Sequence, residues 1–210
     1  MPDPIIEASI ILISMSGYYS KHADEYIAAT MDADMSETYA LFEPLLKGKK
    51  ILDVGFGSGR DMLYFKSKGY EVFGIDNEPS FVEHAEALGL QVSLEDVLTF
   101  QTEERFDGIW ANASLLHLSK KRMADAIDRL KGLLKSDGVL FVSLKKGDGE
   151  TIDEKGRAMT FVDEGYLESI GFRILSITGD ALGRDVRWIN AVYDREVIKA
   201  PTPCGSAHVF

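Results

Sequence analysis

The chain has 210 residues, which suits one domain, or one domain with a small cap. Apolar residues make up 45% of it and charged residues 27%, as in ordinary globular proteins. The formal net charge is −11, the opposite sign to a protein that gains affinity by neutralising phosphates, so we expect no nucleic-acid partner. The only cysteine, Cys204, excludes a disulfide framework and a cysteine metal cluster. We expect a cytoplasmic protein without a bound metal.

The two ends of the chain are expected to lie outside the domain. The run from Ile5 to Ile13 is apolar, but it is far shorter than the ~20 residues that span a bilayer. No Lys or Arg precedes it, so the basic region of a signal peptide is missing. We therefore expect no membrane association, an appendage at residues 1–14, a single domain at 15–198 and a tail at 199–210. The chain would act as a monomer or a homodimer.

The most informative stretch runs from Ile51 to Asp61. A short apolar strand pattern leads into three alternating glycines, Gly55, Gly57 and Gly59, and helical spacing follows at once. Glycine reaches positive φ without strain and leaves no Cβ in the way of a ligand. Because a helix begins there, free N–H groups collect at its positive end. The stretch predicts a ligand-binding turn between the first strand and a helix.

Two nucleotide-binding patterns compete for this turn. The dinucleotide fingerprint Gly-x-Gly-x-x-Gly requires a third glycine where this chain has Arg60, which disfavours an NAD-dependent oxidoreductase. The pattern Asp-x-Gly-x-Gly-x-Gly, beginning at Asp53, resembles motif I of the class I S-adenosylmethionine-dependent methyltransferases. That resemblance implies S-adenosyl-L-methionine as the cofactor. The turn residues that it implies as cofactor ligands are Asp53, Gly55, Phe56, Gly57, Ser58, Gly59 and Arg60.

Further cofactor ligands are expected where the next strands end. Asp76 lies 21 residues after Gly55, the place where a doubly wound fold puts the acceptor for both ribose hydroxyls, with Asn77 beside it. By the resemblance, Asp96 and Val97 meet the adenine after the third strand. Asn112 comes at the carboxyl edge after the fourth strand. The DNA amino-methyltransferase motif Asn/Asp-Pro-Pro-Tyr/Phe is absent at that point, because the chain reads Asn-Ala-Ser-Leu.

The succession of strands and helices defines the fold class. We expect an α/β, doubly wound, Rossmann-like sheet of seven strands, mostly parallel, with helices on both faces. In the resembled fold the seventh strand, here 187–193, runs antiparallel. A helix is predicted from Met123 until the Asp137-Gly138 stop, and residues 145–160 are expected to form a polar loop.

The resemblance also implies an N-terminal helical lid, at residues 15–47. Tyr19, Ala23 and Tyr26 match a Tyr-x3-Ala-x2-Tyr segment that precedes motif I in many small bacterial methyltransferases and folds over the cofactor, so Tyr19 is a candidate cofactor contact. The wider pattern, which includes the Trp110 to His117 run, resembles a bacterial branch similar to the tellurite-resistance methyltransferases.

The resemblance predicts methyl transfer to a small-molecule acceptor (a thiol, an amine or an oxyanion) by in-line displacement. His117 is the candidate general base, since an imidazole titrates near neutrality. Arg157, Arg184 and Arg187 are candidates for binding an anionic acceptor, because a guanidinium offers paired donors. The alternative is a cofactor-binding or sensing protein without transfer, whose acceptor cavity would be filled.

Overall fold

The structure is a computed structural model that describes the backbone of residues 4–195 and the side chains from residue 17 onward. The described residues form six α-helices: α1 (Pro4–Thr30), α2 (Ser36–Phe42), α3 (Arg60–Ser67), α4 (Pro79–Ala87), α5 (Lys120–Gly132) and α6 (Glu164–Ser169). The strands are β1 (Lys50–Val54), β2 (Glu71–Asp76), β3 (Gln91–Leu94), β4 (Phe106–Asn112), β5 (Leu134–Lys145), β6 (Gly149–Ile152), β7 (Ala158–Phe161), β8 (Arg173–Thr178) and β9 (Trp188–Asp194). Short 3-10 turns lie at Glu43–Leu45 and Leu115–His117.

Seven of these strands form one sheet in the order β3-β2-β1-β4-β5-β9-β8. The pairs among β1 to β5 are parallel, whereas β9 is antiparallel to both of its neighbours. The predicted doubly wound, mostly parallel sheet with an antiparallel last strand is confirmed. The strand order reverses between β1 and β4, and ligands of open α/β sheets bind at the carboxyl ends beside such a switch point.

Helices cover both faces of this sheet, as predicted. Side chains alternate along a strand, so Ile109 and Trp110 of β4 point to opposite faces. The Trp110 face is covered by α2, α3 and α4, and its indole stacks on Phe141 with ring centroids 4.3 Å apart. The Ile109 face is covered by α5 and α6, which contribute residues such as Leu130 and Leu167. The result is a three-layer arrangement with the sheet buried in the middle.

The predicted end of the helix at Asp137-Gly138 was wrong. The helix α5 ends at Gly132, and β5 has already begun at Leu134, before the Asp137-Gly138 stop. Pairing with β4 explains the early strand, since Phe106 donates its N–H to the Leu133 carbonyl and lies in register with Leu134. Backbone pairing with a neighbouring strand thus overrides the helical spacing of the local sequence.

The expected loop at 145–160 contains the β6–β7 hairpin. Its connection is closed by Asp153, whose carboxylate accepts hydrogen bonds from the backbone N–H groups of Lys155 and Arg157. An aspartate that bonds the backbone two residues ahead is a standard turn former. The hairpin extends from the carboxyl edge of β5, so it stands beside the end of the sheet where ligands are expected.

The segment predicted as a lid divides into two parts. The helix α1 is bent at His22, and its Tyr19 and Tyr26 lie over the carboxyl edge of the sheet. In contrast, α2 is built into the core, where Phe42 is fully buried. Residues 1–3 of the predicted appendage and the whole predicted tail, 199–210, lie outside the described residues. Of the helices described, none is both long enough and apolar enough to cross a membrane.

A buried carboxylate, Asp61, connects the two layers on the Trp110 face. One of its oxygens accepts hydrogen bonds from the Tyr39 hydroxyl and Arg60 Nε, both at 2.6 Å. The other accepts from Trp110 Nε1 at 2.8 Å and Asn112 Nδ2 at 3.1 Å. Burial by itself opposes ionisation, but the Arg60 guanidinium and these donors lower the pKa of Asp61 below its usual range. The charge is therefore held inside the protein at neutral pH.

Replacing this carboxylate should destabilise the fold strongly. We expect Asp61→Ala to lower the free energy of unfolding by about 3–5 kcal/mol, because it leaves Arg60 without its partner and the buried Tyr39, Trp110 and Asn112 donors unsatisfied. Urea denaturation at pH 7 measures the change. Asp125→Ala, at an exposed position on α5, is the matched control and should stay within about 0.5 kcal/mol of the wild type. A loss below about 1 kcal/mol in Asp61→Ala would contradict the assignment.

Candidate functional site

Two adjoining cavities lie at the carboxyl edge of the sheet, with volumes of about 360 Å³ and 150 Å³. The larger cavity is bordered by the ends of β1 and β2, the turn after β3 and the start of α4. The smaller cavity lies toward β5, the β6–β7 hairpin and the loop between β8 and β9. The residues that line both cavities, and so form the wall between them, are Tyr19, Tyr26, Gly55, Ala113 and His117.

The glycine turn of β1–α3 borders both cavities, and its backbone requires glycine. Gly55, Gly57 and Gly59 have φ values of 69°, 55° and 77°, in the region that side chains disfavour. A Cβ on Gly55 would lie 2.5 Å from the Ser114 Cβ, and one on Gly57 would lie 3.1 Å from the Tyr26 ring. The turn is therefore packed closely against Ser114 on one side and the Tyr26 ring of α1 on the other.

Phe56, the bulky residue within this turn, is buried and also lines the smaller cavity. Its ring packs against β2, at the place where Gly74 lacks a side chain. A Cβ on Gly74 would lie 2.8 Å from the Phe56 ring and 2.5 Å from Met62 Sδ. The missing side chain at Gly74 thus provides the room that Phe56 needs. Ser58 is buried in the same turn and lines the smaller cavity.

Asp76 lines the larger cavity at the end of β2 and also fixes the backbone around it. One carboxylate oxygen accepts from the Gly57 N–H and the other from the Glu78 N–H, each at 3.0 Å. Burial raises the pKa of Asp76 to about 6, although these backbone donors act to lower it. Each oxygen can still accept a second hydrogen bond. The pattern places a buried carboxylate, with acceptor capacity left, on the wall of the larger cavity.

Asp53 lies beneath the turn, 2% exposed, and it lines neither cavity. Its Oδ2 has no hydrogen-bond partner within the described part of the chain. Burial first, and then the charge of Asp61, raise the pKa of Asp53 well above its usual value. A buried carboxylate oxygen without a partner is costly, and a ligand that brings a positive charge near the turn would reduce that cost.

The other predicted cofactor residues are divided between the two cavities. Asn77, Asp96 and Val97 line the larger one, where Asp96 Oδ1 also accepts from the Leu98 N–H at 2.8 Å. Arg60 and Asn112 line the smaller one, and both donate to Asp61. Arg60 also donates to the Thr30 carbonyl at 3.1 Å, which ties the end of α1 to the glycine turn.

His117 is part of a directed chain of hydrogen bonds in the wall. Its Nδ1 lies 2.9 Å from the Ala158 carbonyl, which can only accept, so Nδ1 carries the proton in the neutral ring. Its Nε2 then accepts from the Tyr19 hydroxyl at 3.1 Å, and the Tyr19 oxygen accepts from Arg157 Nη1 at 3.2 Å. The chain joins α1, the Leu115–His117 turn and the β6–β7 hairpin.

Burial lowers the pKa of His117 to about 4, with Arg157 and Lys145 acting in the same direction. The ring is therefore neutral at pH 7. A general base would use the Nε2 lone pair, which already accepts the Tyr19 proton, and a conjugate acid with so low a pKa holds a proton weakly. The catalytic role of His117 stays a prediction, and it would require Tyr19 to turn away.

Two of the three predicted anion-binding arginines reach the smaller cavity. Arg157 lines it while its Nε and Nη2 donate to Asp153 Oδ2 at 2.9 and 2.7 Å. Arg184 lines it while it forms a paired contact with Asp180, at 2.9 and 2.6 Å. Arg187 is exposed and lines neither cavity, so the structure does not bring it to the site.

Sequence reasoning missed two residues at this site. Lys145 ends β5 and lines the smaller cavity. Its position at the carboxyl end of a central strand was a usable signal, because that edge is where ligands bind. Asp61 ends the glycine-rich stretch, but it was not among the predicted ligands. Its role depends on donors from Tyr39 and Trp110, which only the fold brings together.

Comparisons with known proteins agree with this geometry. Residues 51–138 match the methyltransferase domain family. The chain is 41% identical over 110 residues to a ubiquinone biosynthesis O-methyltransferase of Actinobacillus pleuropneumoniae, covering 47% of this chain and 46% of the relative. It is 27% identical over 125 residues to the probable S-adenosyl-L-methionine-dependent methyltransferase TehB of Haemophilus influenzae, covering 55% and 42%. The matched part spans less than half the length of each relative.

Solved structures share the fold at low sequence identity. The 1,6-didemethyltoxoflavin-N1-methyltransferase of Burkholderia thailandensis, solved with S-adenosylhomocysteine, has a TM-score of 0.72 at 21% identity, covering 92% of this chain and 91% of that one. The CcbJ methyltransferase of Streptomyces caelestis has a TM-score of 0.65 at 16% identity, covering 86% and 98%. The matched domain, the sheet order and the glycine turn together make the chain similar to S-adenosylmethionine-dependent methyltransferases.

Proposed function

We propose that the protein binds S-adenosyl-L-methionine in the larger cavity and at the glycine turn, and transfers its methyl group to a small molecule in the smaller cavity. The observation that carries this proposal is the arrangement of the two cavities. They share the wall formed by Tyr19, Tyr26, Gly55, Ala113 and His117, and the glycine turn borders both. A transferase needs two such adjoining sites, because the donor and acceptor atoms must meet.

The residues present fit the cofactor. Asp76 has acceptor capacity left for the ribose hydroxyls, and Asn77 lies next to it on the same cavity. Asp96 and Val97 offer a carboxylate and an N–H toward an adenine. The unpartnered oxygen of Asp53 favours a cationic ligand near the turn. These ligand roles are proposals that follow from the contacts and the family.

The protein's own contribution would be positioning and exclusion of water. When bound, the cofactor supplies a methyl group on a positively charged sulfur, which an acceptor can displace in line. The chain holds the acceptor against the shared wall and covers it with α1, whose Tyr26 lies against Gly57. A dedicated base is unnecessary for a thiolate, an oxyanion or a neutral amine, which agrees with the depressed pKa of His117.

The alternatives receive less support from the structure. A sensing protein without transfer was expected to have a filled acceptor cavity, whereas a cavity of about 150 Å³ lies beside the turn. For an NAD-dependent enzyme, Arg60 would have to be a glycine. The Arg60 side chain instead bonds Asp61 and the Thr30 carbonyl, so it has a structural function that glycine could not perform.

Asp76→Ala tests the cofactor site. We expect S-adenosylhomocysteine to bind about 10- to 100-fold more weakly, since a hydrogen bond to a charged group contributes about 1.5–3 kcal/mol. Calorimetry measures the affinity, and methyl transfer from labelled cofactor to pooled thiols, amines and oxyanions measures the activity. Asp125→Ala is the control, with unchanged affinity. Unchanged affinity in a folded Asp76→Ala protein would remove the ribose assignment, and wild type that neither binds nor transfers would refute the function.

Cofactor affinity should also depend on pH. The pKa of Asp76 is raised to about 6, and hydroxyl donors bind the ionised carboxylate better than the acid. Above this pKa the carboxylate is already ionised, so the affinity should be constant between pH 7 and 8. Below pH 6 a protonated Asp76 must first lose its proton, so the affinity should fall by up to about tenfold per pH unit. Calorimetry across pH 5–8, with folding checked by circular dichroism, measures this. Asp76→Asn should flatten the profile, and a flat wild-type profile would contradict the assignment.

The N-terminal helix should become more protected when the cofactor binds. Two hydrogen bonds hold residues 18–27 of α1 to the rest of the protein. The Tyr19 hydroxyl bonds to His117 Nε2, and the Ser20 hydroxyl donates to a Glu78 carboxylate oxygen at 3.0 Å. Few aliphatic side chains anchor this segment, so it should open locally and close over a ligand. Hydrogen exchange with and without S-adenosylhomocysteine measures the difference, with the core of α5 as the internal reference. Equal protection of residues 18–27 in both states would make the segment fixed scaffold.

A further inference from the structure

We propose that the methyl acceptor is an anion, and that Lys145 binds its negatively charged group. This inference rests on the proposed function, since it names the class of molecule that enters the smaller cavity. It differs from the sequence-based expectation, which assigned anion binding to three arginines. Two features of the cavity support it: the excess of cationic over anionic side chains, and the carboxylate partners that some of those cations already have.

The smaller cavity is positively charged within a negatively charged protein. The whole chain carries a formal net charge of −11. Four cationic side chains nevertheless line this one cavity, against two carboxylates, Asp61 and Asp180. A cavity that concentrates one sign of charge attracts ligands of the opposite sign. The cations are Arg60, Lys145, Arg157 and Arg184.

The three arginines are already paired with carboxylates of the chain. Arg60 bonds Asp61, Arg157 bonds Asp153 and Arg184 bonds Asp180, with N–O distances of 2.6 to 2.7 Å. Pairing leaves each guanidinium with less attraction for a further anion.

Lys145 is different. Among the described residues no carboxylate lies within 4 Å of its ammonium, whose hydrogen-bond partner is the weakly accepting Met159 sulfur at 3.6 Å.

The surroundings of Lys145 also favour an anionic ligand. Its ammonium lies 6.0 Å from the centroids of the Phe161 and Trp188 rings, which partly shield it from water. Burial lowers the pKa of Lys145, and the positive charges of Arg157 and Arg184 lower it further. A bound carboxylate would offset both effects by supplying the missing counter-charge.

The cavity can accommodate a small organic anion. A buried cavity of 150 Å³ is known to hold benzene, and the smaller cavity has about this volume. Its walls combine apolar side chains, among them Met35, Leu182 and Trp188, with the cationic groups. Benzoate, benzamide and benzamidinium are therefore suitable probes. They have nearly the same shape and carry charges of −1, 0 and +1.

Titration of the S-adenosylhomocysteine complex with these three probes tests the proposal. Trp188 reports on the cavity, because its indole N–H donates to Asp180 and its ring lies beside Lys145. The chain has two tryptophans, so its NMR spectrum contains two indole N–H signals, which Trp188→Phe assigns. We expect benzoate to bind at least tenfold more tightly than benzamide, and benzamidinium most weakly. Equal binding, or tightest binding of the cation, would overturn the proposal.

Variants of Lys145 assign the effect to this residue. In Lys145→Met the preference for benzoate over benzamide should fall below threefold, and Lys145→Arg should restore part of it. Lys146→Met is the matched control, since Lys146 pairs with Glu164 and lines neither cavity. The control should keep the wild-type preference. A preference that survives Lys145→Met would assign anion binding to the arginines and overturn the proposal.

Cofactor binding separates this proposal from the proposed function. S-adenosylhomocysteine has a carboxylate of its own, so calorimetry must show its affinity within threefold of wild type in Lys145→Met. A loss above tenfold would mean that Lys145 binds the cofactor, and it would overturn the acceptor assignment. Wild type that does not bind S-adenosylhomocysteine would refute the proposed function instead. In that event the same probes, titrated into the free protein, still decide whether Lys145 forms an anion site.

Discussion

The buried carboxylate of Asp61 is the interaction on which the site depends most. It receives four hydrogen bonds from groups on α2, α3 and β4, so it fixes the positions of three elements at once. Arg60, oriented by Asp61, continues to the Thr30 carbonyl at the end of α1. The glycine turn, the wall of the smaller cavity and the covering helix are thus connected through one charge. A charge in this environment is tolerated only while its donors are in place.

A second constraint is the protonation state of the cavity wall. The Ala158 carbonyl fixes the tautomer of His117, and His117 fixes the direction of the Tyr19 hydroxyl. Tyr19 in turn presents its oxygen to Arg157. Each contact in this chain has one possible donor and one possible acceptor, so the hydrogen bonds define the geometry of the wall. None of these groups titrates near pH 7. Such a wall can orient ligands equally well over a wide range of pH.

The sequence predicted the parts of the fold and site that depend on local chemistry. The positive φ of Gly55 and the position of Asp76 at the end of a strand follow from backbone rules, and the structure has both features. The β6–β7 hairpin and the early start of β5 were missed, because strand pairing is decided by distant partners.

Arg187 was expected at the site on residue type alone. The neighbouring residue, Trp188, begins β9 and lines the smaller cavity instead, whereas Arg187 lies just before the strand and is exposed. Lys145 was overlooked although it ends a central strand, because only the folded cavity shows that no carboxylate of the described residues lies beside its ammonium.

The packing of Phe56 against Gly74 has a consequence for the evolution of this family. The two positions share one volume, since a side chain on Gly74 would lie within 2.8 Å of the Phe56 ring. A relative that carries alanine or a larger residue at position 74 would need a smaller residue at position 56 to keep the glycine turn in place. Substitutions at these two positions should therefore occur together in an alignment of homologues, as a covarying pair that links motif I to the second strand.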